Sequence, residues 1–153
     1  MQGEPVEALV DAQAVYLDAL ASYCPLVTII EGRFKQVFRV CASCGASWVA
    51  YEEKETDVSI ATALIEDAVH DRYDVALLFS ADSDLCPAVA ATKRLRPDKL
   101  VVAVFPPGRH SVDLQRAVDG FVVIGVNKVR QSQLPDEITA AGGVVLRRPS
   151  GWT

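Results

Sequence analysis

Asp74-Val75-Ala76-Leu77-Leu78-Phe79-Ser80-Ala81-Asp82-Ser83-Asp84 is the stretch that decides the fold: an apolar run that breaks abruptly into serines and carboxylates. A continuous apolar run of this length predicts a strand of a parallel sheet covered on both faces, here over 74–80. The same rhythm continues downstream. A helix is predicted over about 84–95, ending before Pro97, then a second apolar strand KLVVAVF (99–105), closed by PPG. A short helix over 111–118 and a third strand GFVVIG (120–125) complete the series. Strand–helix–strand–helix–strand predicts βαβ units and a parallel sheet with helices on both faces, so the fold class is α/β.

Upstream, residues 4–22 read as an amphipathic helix with Val6, Leu9, Val10, Tyr16, Leu17 and Leu20 near one face, stopped by Pro25. Three short strands are predicted next, LVTIIEG (26–32), QVFRVC (36–41) and ASWVAYE (46–52), with Gly32 and Gly45 as turn residues. From Thr56 to His70 the pattern is helical, and its apolar residues surround much of the helix, which predicts burial. The tail after Val126 offers a turn at Leu134-Pro135-Asp136 and an edge strand over 143–147. With no repeat, linker or low-complexity segment, residues 1–153 read as one domain, with 127–153 as a tail packing on it.

The 153 residues are half hydrophobic and 23% charged, which excludes a disordered chain. No apolar run approaches the roughly 18–20 residues of a membrane span. The start MQGEPVEALVDAQ has no basic segment of the kind that opens a signal or transit peptide, and four cysteines make no disulfide framework, so a reducing cytoplasm is expected. A net charge of −5 argues against a general nucleic-acid coat protein. Residues 1–76 hold five Lys/Arg against thirteen Asp/Glu, and residues 77–153 hold ten against seven. That split fits an acidic metal-binding pole beside a weakly basic surface, or simply one acidic helix and one basic tail.

In open α/β sheets the active site lies beyond the carboxyl ends of the parallel strands. Asp82 and Asp84 stand there, and a D-x-D pair suits a hard divalent cation such as Mg²⁺ or Mn²⁺. The same residues also read as N-cap and first-turn acids of the next helix. Asp57 shares a helix face with Ala61, Leu64 and Ala68, within about 40°, which points its carboxylate toward the sheet. Three such acids fit a metal-dependent nuclease or phosphotransferase site. Asp67 lies about 80° round that helix and is a lesser neighbour.

Cys41-Ala42-Ser43-Cys44-Gly45 lies between two predicted strands and resembles half of a zinc knuckle. It reads first as a pair of unmetallated turn cysteines. A zinc site completed by a partner chain and a redox pair stay open as alternatives. Cys24 and Cys86 read as small core residues. For nucleic acid the candidates are Lys93, Arg94, Arg96, Lys99, Arg109 and Arg116, with Arg109 and His110 on the expected active-site side. Trp48 and Tyr51 are candidates for base stacking.

Glu53-Lys54-Glu55-Thr56-Asp57-Val58, Asp67 and the opening stretch through Leu85 together resemble the NYN domain, a family of the PIN-like ribonuclease group. Further matches lie in Gln13…Tyr16-Leu17-Asp18-Ala19-Leu20, Glu31-Gly32-Arg33-Phe34 and Ser132-Gln133-Leu134-Pro135. The resemblance implies a PIN-like three-layer fold with a central, mainly parallel sheet. It implies a carboxylate cluster binding Mg²⁺ or Mn²⁺, and cleavage or binding of single-stranded RNA. It carries Asp57, Asp82 and Asp84 over as catalytic metal ligands, with Lys54, Asp67 and Ser80 as neighbours. Such domains open with an apolar strand ending in an aspartate. This sequence starts at the following helix, where Asp11 and Asp18 lie within the helix, so the expected form lacks that strand and its ligand. A sheet edge is then left for a second copy to cover, which makes a homodimer an expectation. The expected function is a metal-dependent ribonuclease domain. The alternatives are a non-catalytic family member binding RNA or a protein, and a different D-x-D phosphoryl-transfer fold, Toprim-like or haloacid-dehalogenase-like.

Overall fold

The computed structural model describes residues 6–149 and Trp152, and their side chains from Ala12 onward. Glu4 and Pro5 of the expected first helix, and the side chains of Val6, Leu9 and Val10, lie outside the described residues. The chain forms two compact units, Glu31–Val129 and the residues up to Ile30 with those from Arg130 onward.

In the first of these units a hairpin of β1 (Arg33–Val40) and β2 (Ser47–Lys54) precedes α2 (Thr56–Val69), α1 being the helix of the other unit. The strands pair antiparallel over their full length, Arg33 opposite Lys54 and Val40 opposite Ser47. Both run longer than their apolar cores suggested, because the charged residues at their ends still pair across the ladder. Gly32 is fixed at the root by close approach. A Cβ there would meet the Thr56 hydroxyl at 2.6 Å and the Lys54 carbonyl at 2.9 Å. The segment 26–32, expected to be a strand, has no strand partner in the structure, and Leu26 is 98% exposed. The Val27 amide bonds locally instead, donating to the Cys24 carbonyl at 3.0 Å.

The βαβ series is as expected: β3 (Val75–Leu78), a 3-10 turn (Ser83–Leu85), α3 (Cys86–Leu95), β4 (Leu100–Phe105), α4 (Val112–Ala117) and β5 (Gly120–Val123). The three strands form a parallel sheet in the order β3-β4-β5. Pro87 in the first turn of α3 suits a position whose N–H has no helical partner. Ser111 caps α4 by accepting from the Leu114 amide. Leu64, Leu78, Leu85, Val89, Val101, Phe105 and Leu114 make the core between one sheet face and α2, α3 and α4. The opposite sheet face carries Val75, Leu77, Phe79, Leu100 and Val122, which are exposed, together with half-buried Val102 and buried Val104.

Ion pairs lock the amino-terminal ends of the strands. The buried Lys99 side chain pairs with Asp71 and with Asp74 at 3.0 Å, and Arg96 pairs with Asp71 at 2.8 Å and Asp98 at 2.7 Å. Lys99 in the first place, then Arg96, holds the Asp71 carboxyl below the usual range. Arg96 brings Asp98 down to about 2. Near the start of β5, Lys93 pairs with Asp119 at 2.6 Å, and the same carboxylate accepts from the Val101 amide at 2.9 Å. These two contacts hold Asp119 low as well.

In the other unit α1 (Val6–Tyr23) packs on a two-stranded sheet of β6 (Glu137–Thr139) and β7 (Val145–Arg147). Buried Ile138 stands opposite half-buried Leu146, and Gly142 and Gly143, both at positive φ, reverse the chain between the strands. A cavity of about 360 Å³ lies here, lined by Tyr16, Leu134, Ile138, Leu146 and Trp152 among others. Before it in sequence comes α5 (Val126–Gln131). Neither α5 nor β6 was expected.

Candidate active site

At its carboxyl end β3 runs into Phe79 and Ser80, and the backbone then folds on local hydrogen bonds. The Asp82 amide donates to Ser80 Oγ at 3.1 Å, and Asp82 Oδ1 accepts from the Asp84 amide at 2.9 Å. Asp82 is thus the N-cap of the 3-10 turn, with extended backbone (φ −92°, ψ 124°). The capping reading holds for Asp82, and it occupies one carboxylate oxygen while leaving the other open.

Asp57 comes from the first turn of α2, where acids suit the helix dipole. The helix begins after Glu55, whose φ of 78° is left-handed, and the Thr56 hydroxyl donates to Glu53 at 2.7 Å. Asp57 stands seven residues before Leu64, the first buried residue of α2, and is exposed at the rim of the site rather than turned into the sheet.

The third contribution is the loop after β4. Pro106-Pro107-Gly108-Arg109 closes with the Arg109 amide donating to the Pro106 carbonyl at 3.1 Å, and Gly108 has φ 71°. Proline at the second position and a left-handed glycine at the third are what a type II turn requires. The turn brings Arg109 and His110 to the same end of the sheet as Asp82. His110 packs its ring 4.5 Å from that of Phe105, and its Nε2 lies 2.7 Å from Gln115 Oε1.

These three elements surround an open depression of about 870 Å³, lined by Asp57, Phe79, Ser80, Asp82, Ser83, Arg109 and His110, with Ala81, Pro106 and Gly108 between them. The structure therefore brings Asp57, Asp82, Ser80, Arg109 and His110 together. Asp84 does not line the depression, although it is next but one to Asp82. Lys54 is paired with Glu52 at 3.0 Å, and Asp67 with Arg72 at 2.7 Å, neither in the lining. Lys93, Arg96 and Lys99 are engaged in the ion pairs described above. Phe79 and Ser83 are lining residues that the sequence reading did not single out. The signal for Phe79 was its alternation with Leu78, which is buried on the helix side while Phe79 is 61% exposed.

Among the described residues no three or more His, Cys, Asp or Glu side chains converge as a metal cluster. The donors on the depression are the Asp57 and Asp82 carboxylates with the Ser80 hydroxyl. This set fits Mg²⁺ or Mn²⁺, which takes one or two carboxylates and fills its remaining positions with water and substrate phosphate.

A three-stranded parallel sheet flanked by helices, with Asp82 beyond the carboxyl end of β3, is consistent with a PIN-like fold. The family model of the NYN domain matches residues 7–125, and the chain belongs to that family. Among solved structures the chain is similar to a protein of unknown function from Vibrio parahaemolyticus. The identity is 21% and the TM-score 0.48, over 83% of this chain and 65% of that one. The chain thus spans slightly less than two thirds of that protein's length. No curated protein matches it. No helix among the described residues is long and apolar enough to cross a membrane.

Proposed function

We propose that this chain is a metal-dependent ribonuclease domain that hydrolyses phosphodiesters of single-stranded RNA. The observation that carries the reading is the pairing of chemistries in one depression, whose lining holds the Asp57 and Asp82 carboxylates together with Arg109 and His110. Family membership supplies RNA as the substrate class.

Asp57 and Asp82 would hold the cation, with Ser80 beside them. A bound Mg²⁺ or Mn²⁺ supplies an activated water and neutralises charge on the phosphate. The chain's own residues do the rest. Arg109 presents a planar fork of donors that matches two phosphate oxygens and fixes the scissile group. His110 has one ring nitrogen committed to Gln115, so the other is left to exchange a proton or a hydrogen bond with substrate. Phe79 offers an exposed ring beside the carboxylates, on which a base of the single strand can stack.

The test is cleavage of end-labelled single-stranded RNA with Mg²⁺ or Mn²⁺, comparing the chain with Asp82→Asn. Cleavage that needs the metal and disappears in the variant supports the reading. A folded chain that leaves RNA intact overturns it. The second reading, an RNA-binding family member without turnover, is favoured by the lack of a three-carboxylate cluster among the described residues. Metal-independent RNA binding with no product would establish it.

A further inference from the structure

The β1–β2 hairpin has two features that the nuclease reading leaves unused. The first is its tip. Cys41 to Ala46 form a tight connection in which the Cys41 amide donates to the Ala46 carbonyl at 2.8 Å and the Gly45 amide to the Cys41 carbonyl at 2.9 Å. Gly45 takes the left-handed φ of 70° that this closure needs. The turn places Cys41 and Cys44 three residues apart at the tip, and hydrogen bonding within the turn holds the Cys41 thiol below its ordinary value. Both cysteines are free, and Cys44 is exposed. Two free thiols in C-x-x-C spacing within one tight hairpin turn match half of a tetrahedral thiolate site.

The second feature is the hairpin's surface. Phe34, Phe38 and Val40 of β1 share a face with Val49 and Tyr51 of β2, and Phe38 and Val40 are 70% and 61% exposed. The opposite face is charged, with Glu52 bridging Arg39 and Lys54. Among the described residues no other element packs substantially against either strand. A two-stranded ribbon is marginal in water by itself, and five large apolar side chains on one face add to that burden.

A soft dithiolate selects zinc among common hard and borderline divalent cations, and a structural zinc takes four ligands at about 2.3 Å from each sulfur. Among the described residues no third or fourth His, Cys, Asp or Glu joins the pair. The missing two ligands have the same chemistry as the two present, and a two-fold axis through the metal supplies them from one interface. We propose that Cys41 and Cys44 are half of a tetrathiolate zinc site that joins two copies of this chain at the tips of their hairpins. Each of the four thiols releases its proton to solvent as zinc binds. The apolar hairpin faces, brought near one another by the shared metal, are then available for mutual burial.

The experiment uses the full chain, purified under reducing conditions, with zinc chloride as the probe. Zinc content is measured by elemental analysis and mass by light scattering, before and after chelation. The expected result is one zinc per two chains at twice the chain mass, returning to single chains when the chelator removes the metal. Replacing zinc with Co²⁺ should give the sulfur-to-metal absorption of four thiolates. Cys44→Ser, with its circular dichroism unchanged, should lose both metal and dimer. One zinc per monomeric chain would overturn the proposal, as would a Cys41–Cys44 disulfide in place of metal, or a dimer that survives in Cys44→Ser. None of these outcomes depends on RNA cleavage, so this proposal stands or falls apart from the nuclease reading.

Discussion

Asp82 has two separable duties, and two substitutions at one position divide them. Its Oδ1 accepts from the Asp84 amide at 2.9 Å, a cap contact that a neutral oxygen can also make. Asp82→Asn keeps that acceptor and removes only the charge, so unfolding stability should change by less than about 0.5 kcal/mol. Asp82→Ala removes the acceptor and leaves the amide without its partner, which should cost about 1 kcal/mol. If the second carboxylate oxygen serves a cation, both variants should lose RNA cleavage alike, by at least about a hundredfold. Urea denaturation followed by circular dichroism gives the stabilities, and initial rates on end-labelled RNA with saturating Mn²⁺ give the activities. An Asn variant as stable as the parent that still cleaves RNA at the parental rate would refute the metal-ligand role. Equal stability in Asn and Ala would refute the capping role.

Gly32→Ala should destabilise the chain by about 1–3 kcal/mol in the same denaturation assay, because its Cβ would press on the Lys54 carbonyl and the Thr56 hydroxyl. Cleavage should fall with it, since Asp57 follows Thr56 at once. Leu114→Ala, at a fully buried position under α4, should cost about 3 kcal/mol in urea denaturation. Arg109→Ala should raise KM for RNA and flatten the dependence of KM on salt, with circular dichroism unchanged. Acid unfolding should begin below about pH 4. Asp71, Asp98 and Asp119 all have folded values below the ordinary carboxyl, and Asp98 falls to about 2. Such groups contribute stability above their unfolded value and lose it as pH falls through the folded one. Stability measured against pH should therefore decline from about 4 toward 2, and a flat profile there would remove the ion pairs from the account.

How legible the molecule was in its sequence depended on whether a local pattern implied its own partner. The runs 74–80 and 99–105 announced a parallel sheet because they are continuously apolar, and α3 was marked by the capping residues Asp82 to Asp84 before it and Pro97 after it. The stretch from Leu26 to Ile30 looked the same locally but has no strand beside it, and composition does not say where an edge is. Residues 137–139 became a strand only because residues 145–147 return alongside, a pairing of three residues with no periodicity to read. At the site, Asp57 and Asp82 were reachable because strand ends and helix starts are marked in sequence. Asp84 was grouped with them by the D-x-D pattern and by the family resemblance; its amide donates to the capping Asp82, and it is not among the residues lining the depression. Arg109 was placed by the rule that loops follow strand ends, whereas Phe79 needed the actual direction of a side chain.

The central claim is that Asp57 and Asp82 hold a divalent cation at the carboxyl end of the sheet, and locating that ion tests it most directly. Crystals of the chain soaked in Mn²⁺ should give an anomalous peak between these two carboxylates, and the peak should be absent in crystals of Asp82→Asn. A peak bound elsewhere, or none at Mn²⁺ concentrations that support cleavage, would contradict the account.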